Sequence, residues 1–246
     1  MNNEIFLEGS LELIGSLIFT GILAVYGHSF IKKQKKMSYV IAGVFSLLSL
    51  VLGGMFFTHM LEVSLATPWV RVVRSVISGY LPASLFIAVM FAGALPSGNF
   101  LQKKLMSART ELSIIATILY LPHTLIYAVL SAPYGIAQLI SGEIYISSQL
   151  MTWSGVINTV LLIILGITSI DKVKKRMKFK KWKALHRWSY VFYLNCFIHY
   201  ITLSVRRGAY ERVILYIIIY GVYLVMRLQK QNVRVKLKEK AKASFA

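Results

Sequence analysis

Seven stretches of about twenty residues, each nearly free of charge, decide what this chain can fold into. They fall near residues 11–30, 38–57, 76–95, 111–131, 151–170, 184–204 and 211–228. A helix rises about 1.5 Å per residue, so about twenty residues cross a hydrocarbon core of roughly 30 Å. Barrel strands alternate in polarity and run to about ten residues, whereas these stretches are apolar throughout. In lipid each backbone N–H and C=O must be satisfied within the protein, and a helix does this inside one segment. The expected fold is all-α, a polytopic membrane helix bundle. Composition agrees: 57% of the 246 residues are hydrophobic and only 15% are charged, well below the charge of an average soluble domain.

The net charge of +19 would point to nucleic acid on a soluble protein. Its distribution points to a membrane instead. The segments after the first, third, fifth and seventh spans carry 23 of the 28 basic residues. The other side has only Arg71, Arg74, Arg206, Arg207 and Arg212. Basic loops mark the cytoplasmic face, so the N-terminus is expected outside and the C-terminus inside, with the lipid bilayer as the main partner and no nucleic acid. The first span lacks a basic leader and a small-residue cleavage site, so it reads as a retained span rather than a signal peptide. The single cysteine, Cys196, allows no intrachain disulfide, and no CxxCH motif codes for covalent haem. No GxGxxG or Walker A motif writes a nucleotide site.

Ionisable groups inside a bilayer are functional candidates. His123 lies twelve residues from Glu111 at the inner end of the fourth span, and His199 twelve residues from Arg187 at the inner end of the sixth. Both should stand about 18 Å above those ends. Two imidazoles at one height on two helices can grip a flat ring from both faces, as axial ligation of haem iron requires. His186 lies thirteen residues before His199, roughly 20 Å below it and about 140° around an ideal helix. Either a π-bulge rotates the register or the two face different neighbours. Pro122 is expected to bend the fourth span beside His123. His28 and His59 sit at span ends and read as interfacial, although His28 shares the depth of His186. Arg109 and Arg187, at the inner ends of the histidine spans, read as snorkelling topology markers or as anchors for a haem propionate.

The stretches "ARTELSIIATILYLPHTLIY" (108–127) and "WKALHRWSYVFYLNCFIHY" (182–200) together resemble the ferric reductase-like transmembrane domain. More narrowly, they are similar to the branch containing the haem-binding membrane subunit of the periplasmic methionine sulfoxide reductase system. The matching positions are His123, His186 within the "LHR" motif, and His199. The resemblance covers about residues 38–225. It implies a six-span haem-binding core at 38–228, an additional N-terminal span and basic loop at 1–37, and a basic cytoplasmic tail at 229–246. It further implies a b-type cytochrome of the bacterial cytoplasmic membrane. Electrons would pass from a cytoplasmic flavin reductase or quinol to an extracytoplasmic redox partner. His123 and His199 would hold one haem b, and His186 a second haem or the edge of an FMN or quinone site. Where the family often carries another histidine, this chain has Arg109 and Thr110. The fused flavin and nicotinamide domains of the wider family are absent from this sequence. A transporter using the histidines as proton relays, and a scaffold without chemistry, are the competing readings.

Overall fold

The structure, a computed structural model, describes residues 3–60, 64, 67–130, 132–142 and 145–243, and it is all-helical over them. The first helix, α1 (Asn3–Ile22), passes through a π-turn at Leu23–Gly27 into α2 (His28–Lys33). Next come α3 (Lys35–Phe57), α4 (Pro68–Ile77), α5 (Tyr80–Ala94) and the short α6 (Phe100–Ser107). Then follow α7 (Arg109–Leu130), α8 (Ala132–Ser141) and α9 (Ile146–Ser169). Two short helices, α10 (Asp171–Arg176) and α11 (Phe179–Leu185), lead through a 3-10 turn at His186–Trp188 into α12 (Ser189–Arg206) and the long α13 (Tyr210–Ala243). The basic tail expected beyond residue 228 continues α13 as helix to Ala243, and residues 244–246 lie outside the described residues.

Five helical stretches are long and apolar enough to cross a membrane, and six if α4 and α5, bent by 61° at their junction, count as one span. The chain is a multi-pass membrane protein. Seven spans were expected from sequence, and two of them differ in form. The third is the broken α4–α5 pair, in which Gly79 takes φ +81° and turns the chain, a left-handed conformation that glycine adopts without steric cost. The sixth, α12, has 18 residues and is less apolar than the others, because it carries Asn195, His199 and several tyrosines.

The bundle centres on α5 and α7. Nearly every side chain of α5 is buried, which suits a helix apolar on all sides. Around it pack α1, α7 and α13, while α3 and α9 flank α7, and α12 lies between α9 and α13. Small residues bring the helices close, as is usual without a hydrophobic driving force between them. A Cβ on Gly53 would stand 2.5 Å from Ile77, and one on Gly166 would stand 2.7 Å from Thr117.

Many polar groups inside the bundle are paired. Pro122 lies within α7 and has no N–H for the carbonyl four residues before it, that of Ile118. The hydroxyl of Ser46 on α3 donates to that carbonyl at 2.8 Å, and α7 runs on as helix through the proline to Leu130. On α1, Thr20 and Ser84 share a hydroxyl hydrogen bond of 2.6 Å with α5, and buried Glu12 pairs with Arg74 of α4 at 3.2 Å. Arg212 on α13, also buried, donates to the Tyr80 hydroxyl at 2.6 Å. The first helix is therefore tied to the rest by polar contacts as well as apolar ones. At the other end Lys35 donates to Asp171, and this hydrogen bond holds the Asp171 carboxyl below the usual carboxylate range.

Removing the cation from the Glu12–Arg74 pair leaves a buried carboxylate without it, and broken buried pairs cost about 3 kcal/mol or more. Arg74→Ala is expected to lower the unfolding midpoint clearly in detergent. The exposed Arg176→Ala should leave it unchanged.

Candidate functional site

His123 projects from α7 beside the break between α4 and α5. Because α4 ends at Ile77, its last carbonyls have no donor within the helix. The Ile77 carbonyl lies 2.8 Å from His123 Nδ1, so Nδ1 carries the proton and Nε2 holds the lone pair. The turn at Gly79 makes room for the ring, since a Cβ there would sit 3.1 Å from His123 Nδ1.

His199 projects from α12 onto α9. Its Nδ1 is 2.9 Å from Ser154 Oγ. The Ser154 hydroxyl donates to the Met151 carbonyl at 3.0 Å, so its oxygen accepts from His199 Nδ1–H. Again Nε2 is left with the lone pair. Gly155, one residue on, lets α9 approach, and a Cβ there would still clear the His199 ring at 3.6 Å. Asn195, one turn before His199, donates to Ser154 O at 2.7 Å and to Asn158 Oδ1 at 2.9 Å, which fixes α12 against α9.

The His123 and His199 rings thus come together. Their centroids are 6.4 Å apart with planes at 84°. Two imidazoles on opposite faces of one metal have ring centres about 6 Å apart, from two metal–nitrogen bonds of about 2 Å and about 1 Å from each nitrogen to its ring centre. Both rings line a cavity of about 470 Å³ between α7, α9 and α12, with Arg206 and Arg207 also on its wall. Thr124 Oγ1, Thr152 Oγ1 and Asn158 Nδ2 line it too and have no hydrogen-bond partner. Among the described residues no three His, Cys, Asp or Glu side chains converge as a protein-only metal site. Two imidazoles and a roomy cavity fit a metal whose remaining donors come from a planar group.

His186 is elsewhere. It lines a second cavity, of about 330 Å³, at the end of the bundle where the lysines cluster. Its Nε2 is 3.1 Å from Thr168 Oγ1, whose hydroxyl donates to Ile164 O at 2.7 Å. Trp182 packs on its ring, centroids 4.3 Å apart. The register question has a simple answer. Each residue of the 3-10 turn at His186–Trp188 advances about 120° rather than 100°, and this brings the two histidines from about 140° to about 80° apart. Both then contact α9, at Ser154 and Thr168. Among the described residues no second histidine lines the His186 cavity. Arg109 and Thr110 share its cavity, and so does Arg187. His28 is engaged locally, with Nδ1 3.1 Å from Val25 O and Nε2 3.2 Å from Ser29 Oγ. His59, at φ +55° just past α3, lines neither cavity.

Rings bridge the two cavities. His123 meets Tyr120 at 5.0 Å, Tyr120 meets Phe86 at 6.1 Å, and Phe86 meets Phe192 at 5.1 Å. Tyr120 lines the first cavity, while Phe86 and Phe192 line the second. Reading the sequence alone misses Ser154, the Ile77 carbonyl and the Gly79 turn. A glycine beside the serine of an apolar run is too common to single out, and a backbone acceptor carries no residue signature.

Gly79→Ala places a methyl group against His123 and forces a left-handed backbone on alanine, a strain of about 1–3 kcal/mol. It is expected to lower the unfolding midpoint more than Gly93→Ala, whose Cβ would meet nothing within 4 Å. Equal midpoints would contradict the placement of His123 against the turn.

Residues 76–197 match the model of the ferric reductase-like transmembrane component. The match runs from the end of α4 into α12 and stops two residues before His199. An uncharacterized protein of Treponema pallidum (strain Nichols) is 31% identical over 156 residues, which is 60% of this chain and 42% of that protein. The chain thus spans less than half the length of that relative. No solved structure matches. On the strength of this match, residues 76–197 of the chain belong to the ferric reductase-like transmembrane component family.

Proposed function

We propose that this chain is a membrane electron-transfer component that holds one haem b between His123 and His199. The observation that carries the proposal is the pairing of the two rings, 6.4 Å between centroids, with each Nδ1 hydrogen-bonded and each Nε2 left to coordinate. Haem iron, when bound there, supplies one-electron chemistry. The work of the chain is to hold and insulate that site. The Ile77 carbonyl and Ser154 fix tautomer and ring orientation, and hydrogen-bonded partners of this kind raise ligand basicity. Tyr120 and Tyr127 flank the His123 ring, with centroids at 5.0 and 4.8 Å. The helices around the cavity set its polarity and its access to solvent, which tune redox potential.

The direction of transfer follows from charge. The lysine-rich end is taken as cytoplasmic by the positive-inside rule, which places the His123–His199 pair in the outer half of a bacterial cytoplasmic membrane. Electrons then enter at the His186 cavity, from a reduced flavin or a quinol. They leave near Arg206 and Arg207 for an extracytoplasmic redox partner. His186 has no histidine opposite it, so its cavity is read as the entry site for the donor rather than as a second haem of the same construction. Phe86, between the cavities, places an aromatic ring on the route.

The test is optical. The purified chain is expected to show a reducible b-type spectrum with one haem per protein. His123→Ala and His199→Ala should each abolish it, and Ser154→Ala should weaken haem retention by about tenfold. Normal haem content in both histidine variants would reject the assignment. A colourless protein that couples uptake to protons would favour a transporter.

A further inference from the structure

We propose that the first helix positions His123: one turn of α1, residues 9–12, clamps both halves of the broken α4–α5 pair, and the break in turn fixes the His123 ring. The proposal deepens the reading above and rests on it, in that His123 is the iron ligand there. Glu12, Arg74, Tyr80 and Arg212 are positioning residues, since none of them lines the His123–His199 cavity.

The break holds His123 in two ways. The Ile77 carbonyl stands 2.8 Å from Nδ1, and Gly79 leaves room for the ring. Ser78, between those two residues, lines the cavity itself. The ring therefore follows the angle between α4 and α5, which is 61°. Glycine is the most permissive backbone residue, so Gly79 does little to fix that angle.

Two polar contacts fix it from outside. On the α4 side, Arg74 stands three residues before Ile77, and its Nε is 3.2 Å from the carboxylate of buried Glu12. On the α5 side, Tyr80 directly follows Gly79, and its buried hydroxyl accepts from Arg212 Nη1 at 2.6 Å. Both contacts meet the same turn of α1. A Cβ on Gly9 would stand 3.0 Å from Arg212 Nη1 and 3.1 Å from the Tyr80 hydroxyl. Ser10 donates to Glu211 at 2.8 Å, and Glu211 lies 3.5 Å from Arg212 Nε. So α1 meets the α4 half through Glu12 and the α5 half through Gly9.

Stability alone does not call for this arrangement. Apolar residues of similar volume in place of a buried ion pair are often neutral or stabilising. Apolar packing of α1 is already provided, since Leu13 is fully buried in the core with Leu17 against it. Ionisable groups within a membrane bundle mark function by default. What a buried pair adds is one geometry, because each charge is left uncompensated in any other. The geometry selected is that of the break, and the functional group seated on the break is His123.

The test replaces each contact by apolar residues of similar volume in the full-length chain: Glu12→Leu with Arg74→Met, and separately Tyr80→Phe with Arg212→Met. Unfolding midpoints in detergent are expected to stay near that of the wild type. Nuclear magnetic resonance of the haem-free protein with isotope-labelled histidine reads the Nδ1–H of His123, assigned by its absence from His123→Ala. That resonance is expected to move in both double variants while that of His199 stays. After loading, haem should be lost about tenfold faster from each. Arg74→Lys, which keeps the charge, should retain the wild-type resonance. Double variants that fold with an unchanged His123 resonance and unchanged haem retention would overturn the proposal. Failure of both to fold would overturn it too, because the contacts would then serve stability. A His123 resonance that moves as expected, in a chain that takes up no haem, would support the clamp and count against the haem assignment alone.

Discussion

The site depends on one hydrogen bond made by each of two imidazoles on the side away from the cavity. A neutral histidine has one protonated and one lone-pair nitrogen, and the partner of the first decides which is which. In this bundle Ile77 O engages Nδ1 of His123 and Ser154 Oγ engages Nδ1 of His199. Without those acceptors the rings would be free to turn over, and the lone pairs would no longer be held in place. The acceptors in turn depend on unusual backbone. Ile77 O is free because α4 stops there, and α4 stops because the chain turns at Gly79. Ser154 accepts because its own proton goes to Met151 O.

Much of the rest of the bundle follows the same rule, that a polar group surrounded by apolar helices is best kept with a partner. Pro122 opens the α7 ladder beside the ligand helix and Ser46 closes it. Asn195 ties α12 to α9 one turn from His199. Glu12 and Arg74 join α1 to α4, and Arg212 and Tyr80 join α13 to α5. Buried polar atoms of Ser49, Gln138 and Ser148 depart from the rule, and so do three on the larger cavity, from Thr124, Thr152 and Asn158. The cavity gives those last three room for a bound group or ordered water.

Much of this was legible in the residues. Hydrophobic run length predicted a helical membrane bundle, and counting from span ends put His123 and His199 at one level, where the rings do meet. Other features were not legible, for physical reasons. The bend in the third span rests on one positive φ at a glycine, and glycine is common in membrane helices without bending them. The orientation of His186 depends on three residues of 3-10 helix, whose sequence does not distinguish them from α-helix. The basic residues of the loop read as topology markers, and only tertiary packing brings Lys174, Lys183 and Arg187 beside Arg109 and Arg227. Sequence separation hides such convergence completely.

The central claim is that one iron is held by imidazoles from α7 and α12 whose planes are nearly perpendicular. Low-temperature electron paramagnetic resonance of the oxidised, haem-loaded protein tests it directly. The account predicts a low-spin ferric signal with the strong anisotropy that perpendicular axial imidazoles produce. A high-spin signal from iron lacking one axial imidazole, or a protein that takes up no haem at all, would contradict it.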